Sequence, residues 1–539
     1  MALEGKRLYC SAKCFHMPSW SSSKPSSQQE QREKDDKVLS VATKRKPGGR
    51  RAMPFILGNE MFERLATFGL LANFTVYLVE KLHMDQVSAS NMVYIWSGNG
   101  DGDFDGLDTG SPSSTVHKTA ARLRSMHRSH QSSTGAGVRP CSIPFGVDQF
   151  DPTTDEGKRG INSFFYWYYT SFTVVLLFTQ TAVVYIQDSV SWVLGFGFLT
   201  VCMFFSIILF FIGTKFYVRV EPDGSPFSGI VQVLVAAYRK RRIELPADGV
   251  FDGLFYDPPL KGVVMTKLPL TDQFSIQQVE EVKCIVRIIP IWAAGIISLT
   301  AITQQGTFTV YQAMKMDRHL GPKFQIPAGS MGVISLITIG LWLPFYDRIL
   351  VPALRKITKH DGGITLLQRI GIGIVFSILA MVVAGLTERV RRASAIKHHL
   401  PDGVAPMSVM WLAPQLILMG FFEAFNVLGQ IEFFNRQFPE HMTSVGNALF
   451  SCSFAGANYL SSLLVNVVHH VTGGHGRPDW LTNDLNAGRL EYFFFLIAGM
   501  GVLNLIYFSY FAHGYRYKGT AVPIQDNSHV DVEFRSIKA

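Results

Sequence analysis

The chain has 539 residues, of which 47% are hydrophobic, 12% aromatic and only 17% charged. This composition excludes an ordinary soluble enzyme and indicates an all-α protein that crosses a membrane many times. The formal net charge of +9 does not indicate nucleic-acid binding, because the lysines and arginines gather in tails and loops, as the positive-inside rule predicts for a membrane protein.

Six cysteines are scattered along the chain, at positions 10, 14, 141, 202, 284 and 452. They form no Cys-x-x-Cys pair, and no histidine lies at metal-ligand spacing from them. The sequence therefore predicts neither a disulfide framework nor a metal site.

The first membrane span is expected near residues 54–79, after a cytoplasmic tail (1–53) whose composition is typical of disorder. This span contains Glu60, Glu63 and Arg64, which a helix places within about 100° of one another. A charge at bilayer depth costs roughly 2.5–3.5 kcal/mol on insertion scales. The three charges therefore indicate a proton or ion site facing a polar cavity; the alternative is an anchor at the cytoplasmic end of the helix.

Eight further stretches meet the requirement of about 20 apolar residues for a membrane span. They lie near 164–185, 191–213, 283–303, 325–346, 364–387, 408–430, 444–468 and 490–511. Residues 87–96 are apolar but too short, and they run into a polar tract (97–134) that has no apolar periodicity with which to span or pack. We interpret 87–96 as a span that is cut off midway.

The count of nine spans conflicts with the charges at the two ends of the chain. Nine crossings put the termini on opposite sides, yet the basic residues at 44–51 and those at 516 and 518 both favour the cytoplasm. An odd number of spans is therefore missing, and the polar tract is where they are expected.

The loop at 214–281 is predicted to be cytoplasmic and to carry an amphipathic helix at the membrane surface, beside lipid head groups. Residues 514–539 are expected to form a second cytoplasmic tail. Residues 388–392, with the sequence Glu-Arg-Val-Arg-Arg, would face outward on simple alternation of the spans. That placement goes against the positive-inside rule.

Short motifs along the chain carry a family resemblance. They are the Glu-x-x-Glu-Arg pattern at 60–64, and the stretches 137–141, 145–151, 282–292, 429–434, 458–462 and 515–518. In content and order they resemble the plant nitrate/peptide transporter family, a branch of the proton-coupled oligopeptide transporters in the major facilitator superfamily. Within that family the chain is most similar to the nitrate and glucosinolate transporting clade.

The resemblance implies a major facilitator fold with twelve spans in two helical lobes. Here the N-lobe (54–213) would be incomplete, leaving about nine full spans, and the C-lobe would cover 282–513. The implied function is proton-coupled symport of nitrate or a related small anionic or peptide-like solute across the plasma membrane by alternating access, with no enzymatic activity. The alternative is a transport-incompetent, truncated or mis-spliced form that acts at most as a regulatory partner.

The resemblance also implies roles for individual residues. Glu60 and Glu63 would carry protons, with Arg64 as their partner, so that protons are the coupling ion and no other cofactor is needed. Arg139 and Glu423 would form a salt bridge between the lobes that loosens during transport; the alternative for Arg139 is a juxtamembrane anchor.

Several polar residues in or near the spans are candidates for binding the substrate. They are Tyr168, Tyr169, Gln304, Gln305, Asn426 and Gln430. The alternative is that they are hydrogen-bond partners between helices, which is the commoner role of such residues. The expected partners are a small anion or peptide-like solute and membrane lipid, with no nucleic acid, and the sequence leaves the oligomeric state open.

Overall fold

The computed structural model describes the membrane-embedded part of the chain and the short connections within it. The described residues are 49–101, 142, 145–151, 154–218, 233–235, 238, 276–322, 324–358, 363–398, 403–438, 443–473, 479–515 and 517. The tails before residue 49 and after 517, most of the polar tract, most of the 214–281 loop with its predicted amphipathic helix, and Arg139 lie outside them.

Four helices make up the described N-lobe: α1 (Gly49–Glu80), α2 (Gln86–Asp101), α3 (Asp155–Phe178) and α4 (Trp192–Gly213). Two π-helical turns, Thr179–Val183 and Ile186–Val190, continue α3 to the start of α4.

The described C-lobe has eight helices: α5 (Ile276–Met314), α6 (Val333–Phe345), α7 (Val351–Thr358), α8 (Leu366–His398), α9 (Ala413–Phe422), α10 (Leu428–Gln437), α11 (Thr443–Thr472) and α12 (Leu490–His513). Two π-helical turns join consecutive helices: Tyr346–Leu350 joins α6 to α7, and Glu423–Val427 joins α9 to α10. Two 3-10 turns lead into helices: Ala328–Gly332 into α6 and Val409–Leu412 into α9.

Eight helical segments in the described part of the chain are long and apolar enough to cross a membrane. They are Asp155–Val190, Trp192–Gly213, Glu281–Met314, Ala328–Thr358, Leu366–His398, Val409–Gln437, Val445–Thr472 and Leu490–His513. Each overlaps most of one predicted span. The remaining predicted span lies within α1, which is helical throughout but falls outside this set; it carries Glu60, Glu63 and Arg64 in its middle.

Two boundaries differ from the predictions. Helix α1 begins at Gly49, so the helix includes the last residues of the predicted tail; Pro54 lies in its second turn. Helix α2 continues to Asp101, so the first residues of the polar tract do pack. Gly98 lies against α11, where a Cβ would be 3.2 Å from the Tyr459 ring, so the absence of a side chain eases this close approach.

One small element departs from an all-helical fold. Strand β1 (Met316–Asp317) pairs in parallel with β2 (Ala405–Ser408). The pair ties the connection after α5 to the connection after α8, and both lie at the same end of the C-lobe.

The C-lobe core is rich in aromatic side chains. Phe308 of α5 packs against Phe493 and Phe494 of α12, with ring centroids 5.1 and 6.3 Å apart. By contrast, many large apolar side chains on the outer faces are exposed, such as Val193 at 80% and Leu503 at 69%. Such faces are expected where the solvent is lipid.

The short helix α2 is held by the C-lobe. Asn91 donates a hydrogen bond to Asn466 (2.7 Å) and accepts one from Ser462 (2.8 Å), both on α11. The Tyr94 hydroxyl donates to Gln304 of α5 at 2.8 Å. These bonds explain how a span that ends midway is still packed in place.

Candidate functional site

The charged residues of α1 form a compact cluster with α3. Arg64 Nε and Nη2 lie 2.7 and 2.6 Å from Glu60 Oε1. The Tyr168 hydroxyl accepts a hydrogen bond from Arg64 Nη2 (2.5 Å) and donates one to the same Glu60 oxygen (3.1 Å). Glu60 Oε1 is therefore fully engaged, whereas Glu60 Oε2 is buried and has no hydrogen-bond partner among the described residues.

Helical spacing explains why these residues meet. Glu60 and Arg64 are four residues apart on α1, and Tyr168 and Phe172 are four apart on α3, so each pair lies on one face of its helix. The Arg64 guanidinium lies 4.6 Å from the Phe172 ring centroid and 5.2 Å from that of Tyr168. Such contacts stabilise a cation where water is scarce.

The second acid of the motif lies beside the cluster. Glu63 is 4% exposed and Glu60 is 2% exposed, so both carboxylates are buried. Thr67, one turn further along α1, donates to Glu63 Oε1 at 2.9 Å. Two acids and one base thus share a buried site, in which Arg64 offsets part of the negative charge.

Polar contacts on both sides of the cluster fix α1 against its neighbours. Ser206 of α4 donates to Asn59 Oδ1 at 2.7 Å. Gln187, beyond the end of α3, donates to the backbone oxygen of Gly69 at 3.0 Å. The cluster is therefore carried by three packed helices and not by a loop.

Of the two residues predicted to form a salt bridge between the lobes, only Glu423 is among the described residues. Arg139 lies outside the described residues. Glu423 is half-buried in the π-helical turn between α9 and α10, and within the described part of the chain it has no ion-pair partner. The salt bridge between Arg139 and Glu423 therefore stays a prediction.

A different ion pair joins the lobes. Arg318 is next to β1, and its Nη1 lies 3.8 Å from Oδ2 of Asp188, in the π-helical turn Ile186–Val190. Nearby, the rings of Tyr185 and Phe324 stack across the same junction, with centroids 6.2 Å apart and planes 18° apart. The sequence analysis missed this pair because both charges lie just past apolar stretches, where a charge is expected in any case.

The lobes also approach closely near this pair. A Cβ on Gly329 would lie 2.8 Å from the backbone oxygen of Ala72 and 2.8 Å from Asn73 Oδ1. Only glycine permits that separation between α1 and the 3-10 turn that leads into α6.

The predicted substrate-binding glutamines are packed between helices. Gln304 is 0% exposed, donates to the Ser461 backbone oxygen at 3.0 Å and accepts from Tyr94. Gln305 is 1% exposed and donates to the Gln415 backbone oxygen at 3.1 Å. This geometry is that of the alternative, hydrogen bonding between helices.

Asn426 and Gln430 likewise form hydrogen bonds within the C-lobe. Asn426 donates to the Ile370 backbone oxygen at 3.2 Å and accepts from Gln430 at 2.6 Å. Gln305 and Gln430 each keep a buried amide oxygen without a hydrogen-bond partner among the described residues. Tyr168 belongs to the charge cluster, and the side chain of Tyr169 lies outside the description.

The charges at 388–392, which simple alternation of the spans would place outside, are partly paired inside the protein. Arg391 and Glu388 are fully buried and form a two-point ion pair (2.9 and 2.7 Å). Gln312 of α5 donates to Glu388 at 2.9 Å, and Arg391 donates to Asn486 at 2.9 Å. The conflict with the positive-inside rule is thus resolved in part, because this arginine holds helices together and is not a topology signal.

Comparisons with known proteins point in one direction. A profile described as PTR2, the POT family, matches residues 133–481. The chain is 51% identical over 570 residues to Protein NRT1/PTR FAMILY 2.13 of Arabidopsis thaliana, covering 92% of each chain. It is 47% identical over 552 residues to Protein NRT1/PTR FAMILY 2.12 of the same plant, covering 89% of this chain and 94% of that one.

The alignment with the first of these relatives contains gaps in this chain. The first alignment has 570 positions but takes in only 92% of a chain of 539 residues, so several tens of the relative's residues have no counterpart here. The family profile begins to match at residue 133, where the polar tract ends.

Solved structures share the fold at low sequence identity. An auto-inhibited POT family peptide transporter superposes with a TM-score of 0.62 at 19% identity, covering 88% of this chain and 99% of that one. A POT family transporter in complex with 5-aminolevulinic acid gives a TM-score of 0.56 at 12% identity, covering 86% and 96%. At these identities the likeness concerns the fold alone.

Proposed function

Because the chain belongs to the POT family, a family of membrane transporters and not of enzymes, we propose that it is a proton-coupled symporter. Its solute would be nitrate or a related small anionic or peptide-like compound, moved across the plasma membrane by alternating access. The observation that carries the proposal is the buried cluster of Glu60, Arg64 and Tyr168 inside a membrane helix bundle.

The geometry supports proton binding at one particular atom. Glu60 Oε1 receives the hydrogen bonds from Arg64 and Tyr168, while Oε2 has no partner among the described residues. A proton on Oε2 neutralises the carboxylate without removing those bonds. Arg64 then loses most of its attraction to Glu60, and the neighbouring Glu63 becomes the nearer anionic partner.

Coupling requires that the proton bind one state of the transporter better than the other. The cluster lies on α1 and α3, and the same two helices meet the C-lobe at Gly329 and at the Arg318–Asp188 pair. A change of charge in the cluster can therefore alter how the N-lobe docks on the C-lobe. On the predicted topology that contact lies on the outer side, so its loosening would open the transporter outward.

The solute class is supported by what structural neighbours hold. They include POT transporters in complex with 5-aminolevulinic acid, a thioalcohol-conjugated peptide and sulfate. The partner-free amide oxygens of Gln305 and Gln430 offer hydrogen-bond acceptors to such a solute once the helices around them move. We propose these two glutamines, with Asn426, as the part of the C-lobe nearest the substrate.

The test is uptake in oocytes that express the full chain, under an inward proton gradient, with nitrate and a dipeptide offered separately. We expect a solute-dependent inward current that disappears when the gradient is removed. Absence of current despite surface expression would favour the alternative, a transport-incompetent form. That alternative is not favoured by the two relatives described above, of whose lengths the matched stretches take in 92% and 94%.

A further inference from the structure

A cleft of about 330 Å³ lies between the end of α8 and the start of α12. Its lining residues are Arg389, Arg392, Ala393, Ile396, Arg489, Glu491, Tyr492 and Phe495. Three guanidinium groups face one carboxylate, so positive charge is in excess. None of these residues takes part in the proposed proton site.

The arginines of this cleft are only partly compensated. Arg392 pairs with Glu491 at 3.2 Å. Arg489 donates to the Tyr492 hydroxyl at 3.1 Å and lies 5.5 Å from that ring centroid, and neither contact supplies a negative charge. Arg389 is exposed and has no hydrogen bond or ion pair with any other described residue.

The carboxylate in the cleft can accept a further hydrogen bond. Glu491 is 5% exposed, and its Oε2 has no hydrogen-bond partner among the described residues. The cleft therefore offers guanidinium donors for an anion and, beside them, one acceptor for a hydroxyl or ammonium group on the same ligand.

The height of the cleft relative to the bilayer follows from helix geometry. Helix α8 begins at Leu366, and about 20 residues at a rise of 1.5 Å cross a hydrocarbon core of about 30 Å. Arg389 and Arg392 then lie roughly 5 and 9 Å beyond that core, which is the level of the lipid head groups. Tyr492 lines the same cleft, and tyrosine is enriched at that level.

Below the cleft, both helices present apolar side chains to the outside. Leu386 and Val390 of α8 are 49% and 53% exposed, and Leu496 and Leu503 of α12 are 39% and 69% exposed. A ligand with a charged head and long apolar chains fits both the cleft and this surface. A free anion would use only the arginines.

We propose that this arginine cleft binds the phosphate group of an anionic phospholipid whose acyl chains lie along α8 and α12. Arg389 and Arg489 contact the phosphate, and Glu491 Oε2 accepts a hydrogen bond from the head group. Arginine suits this role because its planar group offers several donors to phosphate oxygens. The lipid thereby supplies the negative charge that the outer end of α8 lacks.

The test uses the purified, delipidated full chain in detergent. Phosphatidylglycerol, phosphatidylcholine and inorganic phosphate are titrated separately, and bound ligand is counted by native mass spectrometry. The double variant Arg389→Gln/Arg489→Gln removes the two cleft arginines that have no acidic partner among the described residues. The control Lys397→Gln/Arg348→Gln removes the same charge at exposed positions outside the cleft.

We expect phosphatidylglycerol to bind the double variant at least about tenfold more weakly than the unaltered chain, since a hydrogen bond to a charged group contributes roughly tenfold or more. The control should change binding less than about twofold. Equal binding of phosphatidylcholine, equal binding by a monodisperse double variant, or protection of the site by inorganic phosphate at the lipid's concentration would each overturn the proposal.

Discussion

At position 60, two oxygens of one carboxylate have different surroundings, and this asymmetry gives the first prediction. Replacing Glu60 with Gln keeps the hydrogen-bond acceptor but removes the proton-binding carboxylate. We expect Glu60→Gln to abolish proton-driven uptake in oocytes while the protein still reaches the surface. Glu156→Gln, at an exposed position near the start of α3, is the matched control and should leave uptake unchanged. Normal uptake with a normal pH dependence in Glu60→Gln would contradict the proton-coupling role.

A second prediction concerns the hydroxyl group of Tyr168. This hydroxyl accepts a hydrogen bond from Arg64 and donates one to Glu60, so its removal weakens the cluster that we propose as the proton site. Tyr168→Phe should therefore lower the maximal rate of proton-driven uptake by roughly tenfold, the equivalent of one hydrogen bond to a charged group.

The control for Tyr168→Phe lies two residues away. Tyr166 is 68% exposed on the same helix, so Tyr166→Phe should leave both the rate and the pH profile unchanged. If Tyr168→Phe raised the KM for the solute and left the maximal rate unchanged, then Tyr168 would be a substrate contact, as the sequence alone suggested.

At the scale of single elements, the buried pair of Glu388 and Arg391 gives a stability prediction. Removing one member of a buried pair leaves an uncompensated charge and costs about 3–5 kcal/mol. Arg391→Met should therefore lower the thermal midpoint in detergent by several degrees. Glu388→Gln/Arg391→Met should regain part of the loss, and Arg348→Met, at an exposed site, should have little effect. A double variant less stable than Arg391→Met would show that the pair is not the cause.

The helices themselves could be predicted well, because hydropathy over about 20 residues reports directly on contact with lipid. Their ends could not: α5 runs to Met314 and α8 to His398, well past the predicted apolar limits, since a helix continues into water wherever its polar residues find partners. Arg391 shows this, as it prolongs α8 by pairing inside the protein.

The site was predicted only in part. The sequence draws attention to Glu60, Glu63 and Arg64 because a charged side chain within an apolar stretch has a high free energy of insertion into lipid. The contact between Glu60 and Tyr168 joins residues 108 positions apart, and no periodicity reports on such a distance. The same holds for Asp188 and Arg318, whose pairing depends on how the two lobes dock.

For the molecule as a whole, the incomplete N-lobe is the central question. Hypothesis: residues 97 to about 134 come from a shifted reading frame or an aberrant splice junction, which would account for both the charge parity of the termini and the unmatched residues of the relatives. Sequencing the transcript across this region is expected to reveal a longer product that encodes the missing spans. A transcript with this frame and no longer isoform would contradict that hypothesis.

The docking of the lobes gives the last prediction. Arg318 and Asp188 are 17% and 19% exposed and 3.8 Å apart, so their attraction is worth at most about 1 kcal/mol. The rings of Tyr185 and Phe324 stack at this junction. The double variant Tyr185→Cys/Phe324→Cys places two thiols there, and the rate at which they form a disulfide measures how often the lobes are closed. Asp188→Asn should slow that cross-linking by up to about fivefold, whereas the exchanged pair Asp188→Arg/Arg318→Asp should restore it. Because a merely disturbed surface would not be rescued by exchanging the charges, failure of the exchange would show that this ion pair does not hold the lobes together.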